Sequence, residues 1–163
     1  MNYKEMYAYY KSQRAKLMQV LEKMPNEEFV KNRGLSFDSI KDVLAHTVMD
    51  EDNFLHYTVA GMSTGTDRKL EDFKNLEDVK KYVTEVDSKT EKLFASMTEQ
   101  GLRKEVRRTG RDGKVSIYSV EQVLDLIPLE TIYHYGEIFG ALWNMNINPN
   151  YYSYLAFATD RKT

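Results

Sequence analysis

SVEQVLDLIPLETIYHYGEIFGALWNM, residues 119–145, is the stretch that decides the fold. Ser119 and Gln122, three residues apart, form a capping box, which predicts that a helix begins here. Apolar residues continue at helical spacing, so the helix is expected to end near Met145. Pro128 lies inside it and removes one backbone hydrogen bond, which predicts a bend just before Glu130.

Three further helices are predicted upstream, because apolar residues recur there at intervals of three, four and seven. They are residues 3–24, stopped by Pro25; a second helix from an N-cap at Ser36 or Asp38 to Gly61; and a third from the N-cap Asn75 to Gly101. The tyrosine-rich tail, residues 149–163, is expected to pack back on these helices.

Residues 105–118, EVRRTGRDGKVSIY, interrupt the helical pattern. Alternating ends flank Asp112-Gly113, a pair favoured in tight hairpin turns. An isolated two-stranded ribbon is barely stable, so this hairpin must pack against the helices. The predicted fold class is therefore all-α: a four-helix bundle, forming a single domain over residues 1–163, with a small β-hairpin between helices 3 and 4.

Composition excludes several classes of function. Cysteine is absent, so a disulfide framework, a thiolate metal site and a cysteine nucleophile are excluded. The net charge of −2 has acids and bases interspersed, so neither a nucleic acid nor an anionic membrane is an expected partner. A basic cluster around the hairpin is better explained as a solvated turn than as a phosphate site, because no glycine-rich cradle accompanies it. The N-terminal sequence has no apolar signal segment, so a cytoplasmic location is expected.

Three side chains predict a metal site. Glu130 and His134 are four residues apart, so on a helix they lie on one face and can reach the same ion. His46, on a different helix, can supply a third ligand. Three ligands from two helices leave coordination positions open, which is typical of a reactive site rather than a structural one.

Other assignments for these residues remain open. Either histidine could be a core residue bonded to a backbone carbonyl, and Glu130 could be an exposed acid. Asp50, four residues after His46, is a rival ligand, and Glu51 is a candidate for orienting a ligand or a bound water. Glu137 is interpreted as a surface acid, His56 as a surface or interface residue, and Trp143 as a core residue. The sequence assigns no catalytic residue.

Two motifs resemble those of the DinB/YfiT-like superfamily. Ser-x-x-x-Ile-x-x-Val-Leu-Ala-His46-x-x-x-x-Glu51 resembles the second helix of that family. Glu130-x-x-x-His134-x-Gly136-Glu137-Ile138 is similar to its fourth-helix signature, His-x-x-x-His-x-Gly-Gln/Glu-Ile. The resemblance covers nearly the whole chain in the order of its elements, and the hairpin precedes the last helix as in the family.

The resemblance implies an up-down-down-up bundle, frequent dimerisation and a divalent metal, usually zinc or nickel, bound by three histidines. Carried over by position, the ligands are His46, Glu130 and His134. Glu130 stands where the family usually has a histidine, which shifts the preference toward harder ions and makes ferrous iron a further candidate.

The leading hypothesis is a metal-dependent transferase or hydrolase that acts on a small molecule. Family members that activate a low-molecular-weight thiol make a thiol a candidate co-substrate. The rival is a metal-free bundle that serves as a stress-related binding or scaffold protein. A homodimer is expected from the family habit and from the 12 tyrosines and 7 phenylalanines, which favour interfaces.

Overall fold

The computed structural model describes residues 2–61, 67–109 and 112–161, and over these residues the regular structure is helical apart from one hairpin. The helices are α1 (Tyr3–Leu21), α2 (Asn26–Val30), α3 (Ile40–Glu51), α4 (Leu76–Ser96), α5 (Glu99–Leu102), α6 (Val120–Asn144) and α7 (Tyr154–Asp160). A π-helix, Asp52–Val59, continues α3 directly, and a short 3-10 helix covers Leu70–Asp72. The connection between the π-helix and α4 includes Met62, Ser63, Thr64, Gly65 and Thr66, which lie outside the described residues.

The four long helices share one apolar core. Leu17 of α1, Val43 of α3, Val86 of α4 and Leu142 of α6 are each completely buried in the same cluster. A second cluster, nearer the hairpin, includes Leu55 and Leu124. The all-α fold class is therefore confirmed, because each long helix buries its apolar stripe against the others.

Several predicted boundaries needed correction. The second long helix is capped by Ser39, not by Ser36 or Asp38, because Asp38 adopts a left-handed backbone with φ of 64°. The third helix ends at Ser96, and Thr98 then caps the separate helix α5. The apolar spacing of residues 52–59 does not distinguish a π-helix from an ordinary continuation of α3.

The capping box at the start of α6 is confirmed. Ser119 Oγ accepts from Gln122 N at 3.1 Å, and Gln122 Oε1 accepts from Ser119 N at 2.8 Å. Helix α6 continues through Pro128. Helix α6 carries both Glu130 and His134. The cap at Ser119 therefore sets the start of the helix on which both candidate ligands lie.

The predicted hairpin is also confirmed. Strands β1 (Glu105–Thr109) and β2 (Val115–Ser119) pair antiparallel, with Arg107 opposite Ile117. Gly113 has φ of 78°, which a glycine adopts without strain. The Arg108 guanidinium lies over the Phe54 ring, 3.7 Å from its centroid, and joins the hairpin to the π-helix.

The tail packs on α1, as predicted. The Tyr9 hydroxyl donates to the Tyr152 carbonyl at 2.9 Å, and the Tyr154 hydroxyl donates to Glu5 Oε1 at 2.9 Å. Trp143, interpreted from the sequence as a core residue, is instead 58% exposed. It lies on the outward face of the last turn of α6, next to the completely buried Leu142.

Candidate functional site

Helices α3 and α6 bring His46 and His134 together. The two imidazole rings are 4.9 Å apart between centroids and nearly perpendicular, at 88°. Phe37, just before α3, stacks on His46 with a centroid distance of 3.7 Å and touches His134 edge-on at 5.7 Å. Both side chains are mostly buried, with 20% of His46 and 15% of His134 exposed, so α3 and α6 hold the two predicted ligands close to each other.

Asp50 lies in the same cluster. It is one helical turn after His46, and its Oδ2 is 3.3 Å from His46 Nε2. Burial raises the pKa of the Asp50 carboxyl, and the nearby charge of Glu130 raises it further, while His46, Arg108 and His134 oppose this shift. Asp50, the rival ligand in the sequence analysis, is therefore in direct contact with one candidate histidine.

Glu130 is the least enclosed of the predicted ligands. Its side chain is exposed on α6, one turn before His134. Its charge acts on the Asp50 carboxyl, which places the two acids on the same side of the bundle. Glu130 thus lies at the edge of the histidine cluster.

Glu137 belongs to the site, although the sequence suggested a surface acid. Its Oε1 is 3.3 Å from His134 Nδ1, and its Oε2 accepts from Ser36 N at 3.0 Å and from Ser36 Oγ at 2.7 Å. Burial raises the pKa of Glu137, but the bonds from Ser36 and the contact with His134 outweigh it and lower that pKa overall. The signal that could have found it was the i, i+3 spacing from His134.

Glu51 points away from both candidate histidines. Its Oε1 accepts from Tyr7 Oη at 2.7 Å and from Thr90 Oγ1 at 2.9 Å, and its Oε2 pairs with Arg14 Nη1 at 3.0 Å. Arg14 also pairs with Asp87. Glu51 therefore joins α3 to α1 and α4 in the bundle core.

His56, interpreted from the sequence as a surface or interface residue, is buried. Its Nδ1 is 2.6 Å from Asp52 Oδ1, and its Nε2 is 3.3 Å from Thr90 Oγ1. Thr90 thereby links the Asp52–His56 pair to Glu51. His56 lies in the π-helix, ten residues after His46, and its face of that helix is covered by α4.

The donor types around His46 fit a divalent ion. Imidazole nitrogens and carboxylate oxygens are the ligands that zinc, nickel and ferrous iron accept in the absence of thiolates. Over residues 2–61, 67–109 and 112–161, however, no group of three or more His, Asp or Glu side chains has a geometry that could hold a metal. The residues thus fit by type and proximity, and ligation requires their side chains to turn toward a common point.

The fold and this cluster define a class of protein, an all-helical bundle that carries histidines and carboxylates between its second and last long helices. The sequence pattern of the DinB family matches residues 1–159, and the chain belongs to that family. The resemblance noted in the two motifs is thereby confirmed.

A solved structure, "Crystal structure of the mycothiol-dependent maleylpyruvate isomerase", has a similar fold, with a TM-score of 0.56 and 13% sequence identity. The match covers 84% of this chain and 60% of that one, so this chain spans less than two thirds of the length of that protein. No curated protein matches the sequence. Within the described ranges, no helix is long and apolar enough to cross a bilayer.

Proposed function

We propose that this protein binds a divalent metal ion between α3 and α6 and uses it as a transferase or hydrolase acting on a small molecule. The observation that carries the proposal is the His46–His134 pair, 4.9 Å apart between ring centroids, with Asp50 Oδ2 3.3 Å from His46 Nε2. His46, Glu130 and His134 are the proposed ligands, and Asp50 is the alternative carboxylate. Zinc and nickel are the first candidates for the ion, and ferrous iron the next.

The open positions of such an ion define the chemistry. A bound divalent metal polarises a substrate oxygen or lowers the pKa of a bound water or thiol. The protein residues would orient this centre: Phe37 packs on His46, and Glu137 contacts Nδ1 of His134, which leaves Nε2 to face the ion. A carboxylate beside an imidazole in this way fixes the direction of the ring.

A low-molecular-weight thiol is the proposed co-substrate. The solved structure with a similar fold is, by its title, a mycothiol-dependent enzyme, and thiolate is a strong ligand for the proposed metals. Such thiols stay reduced in the cytoplasm, so a cytoplasmic location is part of the same proposal. A homodimer is proposed with it, on the exposed aromatic and aliphatic side chains of α6.

The second candidate is a metal-free binding or scaffold protein. It is favoured by the fact that each candidate histidine already has a carboxylate partner, Asp50 for His46 and Glu137 for His134. The two candidate functions differ in whether a bound metal ion stabilises the folded protein.

Thermal unfolding of the protein, purified without a histidine tag, separates the two functions. An ion that binds only the folded chain adds about 2.7 kcal/mol of stability at one hundred times its Kd. We expect chelator to lower the unfolding midpoint and zinc, nickel or iron to restore it. The shift should vanish in His46→Ala and persist in Glu121→Gln, a change at an exposed acid on α6.

The rise in the unfolding midpoint caused by the metal should become smaller as the pH is lowered, because protonated imidazole cannot bind a metal. Elemental analysis of the untagged protein gives the identity of the ion. If no ion moves the midpoint of the wild-type protein, and His46→Ala responds in the same way as wild type, the scaffold function replaces the metal-dependent one.

A further inference from the structure

Arg108 differs from the other mostly buried arginines of the described chain. Arg14 pairs with Glu51 and Asp87, and Arg33 pairs with Glu28. Arg108 is partly buried on β1 and lies over the Phe54 ring, yet it has no salt bridge or side-chain hydrogen bond within residues 2–61, 67–109 and 112–161. Its charge is therefore held in place without a carboxylate partner.

Phe54 places this guanidinium beside the histidine cluster. His46, Asp50 and Phe54 follow one another at intervals of four residues, so they lie roughly along one side of α3 and the first turn of the π-helix. The positive charge of Arg108 acts on the Asp50 carboxyl, which itself contacts His46. Arg108 and Asp50 are nevertheless beyond the 4 Å limit of a direct salt bridge, so Arg108 flanks the cluster and is not neutralised by it.

We propose that Arg108 is the recognition group for a carboxylate on the small molecule that binds at the His46–Asp50–His134 cluster. This inference rests on the proposed function, since it assigns the substrate class of the same site. A guanidinium in face contact with a ring keeps its N–H donors available at its edge, and a planar carboxylate can accept two of them at once. The substrate is thus an organic acid rather than a neutral molecule.

Charge favours a carboxylate over a phosphate. Asp50, Glu130 and Glu137 place three carboxylates at the cluster or at its edge, and Arg108 is an arginine whose charge acts there. With a divalent ion bound and these acids ionised, the charges sum to about zero, so a carboxylate with one negative charge is repelled less than a phosphate dianion.

The test is a chemical-shift titration with benzoate, benzamide and phenyl phosphate, which share a ring and differ in the group offered to Arg108. Each probe is added to metal-free and to zinc-loaded protein. We expect benzoate to bind the zinc-loaded protein and benzamide to bind far more weakly. Arg108→Gln should weaken benzoate binding by about tenfold or more, since a charge-assisted hydrogen bond is lost.

The matched control is Arg107→Gln. Arg107 is the preceding residue of β1, is exposed and points to the opposite face of the strand, so benzoate affinity should stay within about twofold of wild type. Arg108→Lys keeps the charge but not the planar fork, and an intermediate affinity supports the proposal. It also serves as the second variant if Arg108→Gln does not fold.

Three results overturn the inference: no benzoate binding, benzoate binding that Arg108→Gln and Arg108→Lys leave unchanged, or tighter binding of phenyl phosphate than of benzoate. The proposed function is judged separately by zinc binding. If the protein binds zinc but its benzoate binding does not depend on Arg108, the carboxylate site is wrong and the proposed function stands. If benzoate binding depends on Arg108 but the protein binds no zinc, the carboxylate site is supported and the metal-dependent function is wrong.

Discussion

Glu137 connects His134 to the segment that precedes α3: its two carboxylate oxygens contact His134 Nδ1 at 3.3 Å and the backbone N–H of Ser36 at 3.0 Å. The second contact spans 101 positions in sequence. Because Ser36 lies just before the helix that carries His46, the orientation of one candidate ligand depends on the chain beside the other.

Changing Glu137 to Gln should weaken metal binding by roughly 10–100-fold, the usual cost of losing a carboxylate that orients a ligating histidine. Competition titration with a chromogenic chelator measures the affinity, and ¹⁵N shifts of His134 report which ring nitrogen carries the proton. Glu121→Gln on the same helix is the control. An unchanged His134 tautomer in Glu137→Gln would contradict this role.

Changes at Glu130 and Asp50 identify the carboxylate ligand. We expect Glu130→Gln to weaken zinc affinity, because an amide is a poorer ligand for a dication than a carboxylate, and Glu130→His to retain or tighten it. The same competition titration applies. Affinity lost in Asp50→Asn and unchanged in Glu130→Gln would assign the ligand to Asp50 instead.

Changing Glu51 to Gln should destabilise the fold by about 3–5 kcal/mol, because it leaves Arg14 buried beside a weaker partner. Arg14 is 3% exposed and Glu51 is 1% exposed. Urea unfolding gives the free energy. Glu91→Gln, which removes an exposed partner of Lys11, is the control and should cost no more than about 1 kcal/mol. Equal losses in the two variants would show that the buried pair is not important for stability.

Asp52 should make the protein acid-sensitive. Burial raises its pKa, but hydrogen bonds with His56 and Tyr82 and the charge of Lys89 outweigh burial and lower it. A carboxyl whose pKa is lower in the folded state stabilises the fold above its unfolded pKa of about 3.9, and that contribution is lost as the pH falls through the folded value. Asp52→Asn should therefore be less stable than wild type at pH 6, and its stability should fall less between pH 5 and pH 2. Parallel pH curves from urea unfolding would refute this.

The homodimer prediction is tested by sedimentation at high micromolar concentration. Leu129, Ile132 and Tyr133 form an exposed stripe on α6, with Tyr133 74% exposed, and aromatic side chains of this kind are favoured in interfaces. Tyr133→Lys should shift the mass toward a monomer. Leu155→Lys, on α7, should leave it unchanged. If the wild-type protein sediments as a monomer at that concentration, the homodimer prediction is wrong.

Local signals in the sequence determined the helices and the hairpin. Ser119 and Gln122 cap α6 through bonds three residues apart, and Asp112-Gly113 lies in the short connection between the paired residues Thr109 and Val115, so both were predictable. The pairing of Glu130 with His134 on one helix face follows from helix geometry alone. Motif order was enough to predict the family.

Only the tertiary structure decided which side chains meet across helices. The contacts Glu137–Ser36, Arg14–Glu51 and Arg108–Phe54 each join residues more than thirty positions apart, and no local pattern encodes such distances. His56 and Trp143 show the same limit, because burial depends on what covers a helix face and not on the face itself. The pairs His46–Asp50 and His134–Glu137 are each local to one helix; the packing of α3 against α6 brought the two pairs together, and the docking of the hairpin on the π-helix supplied Arg108.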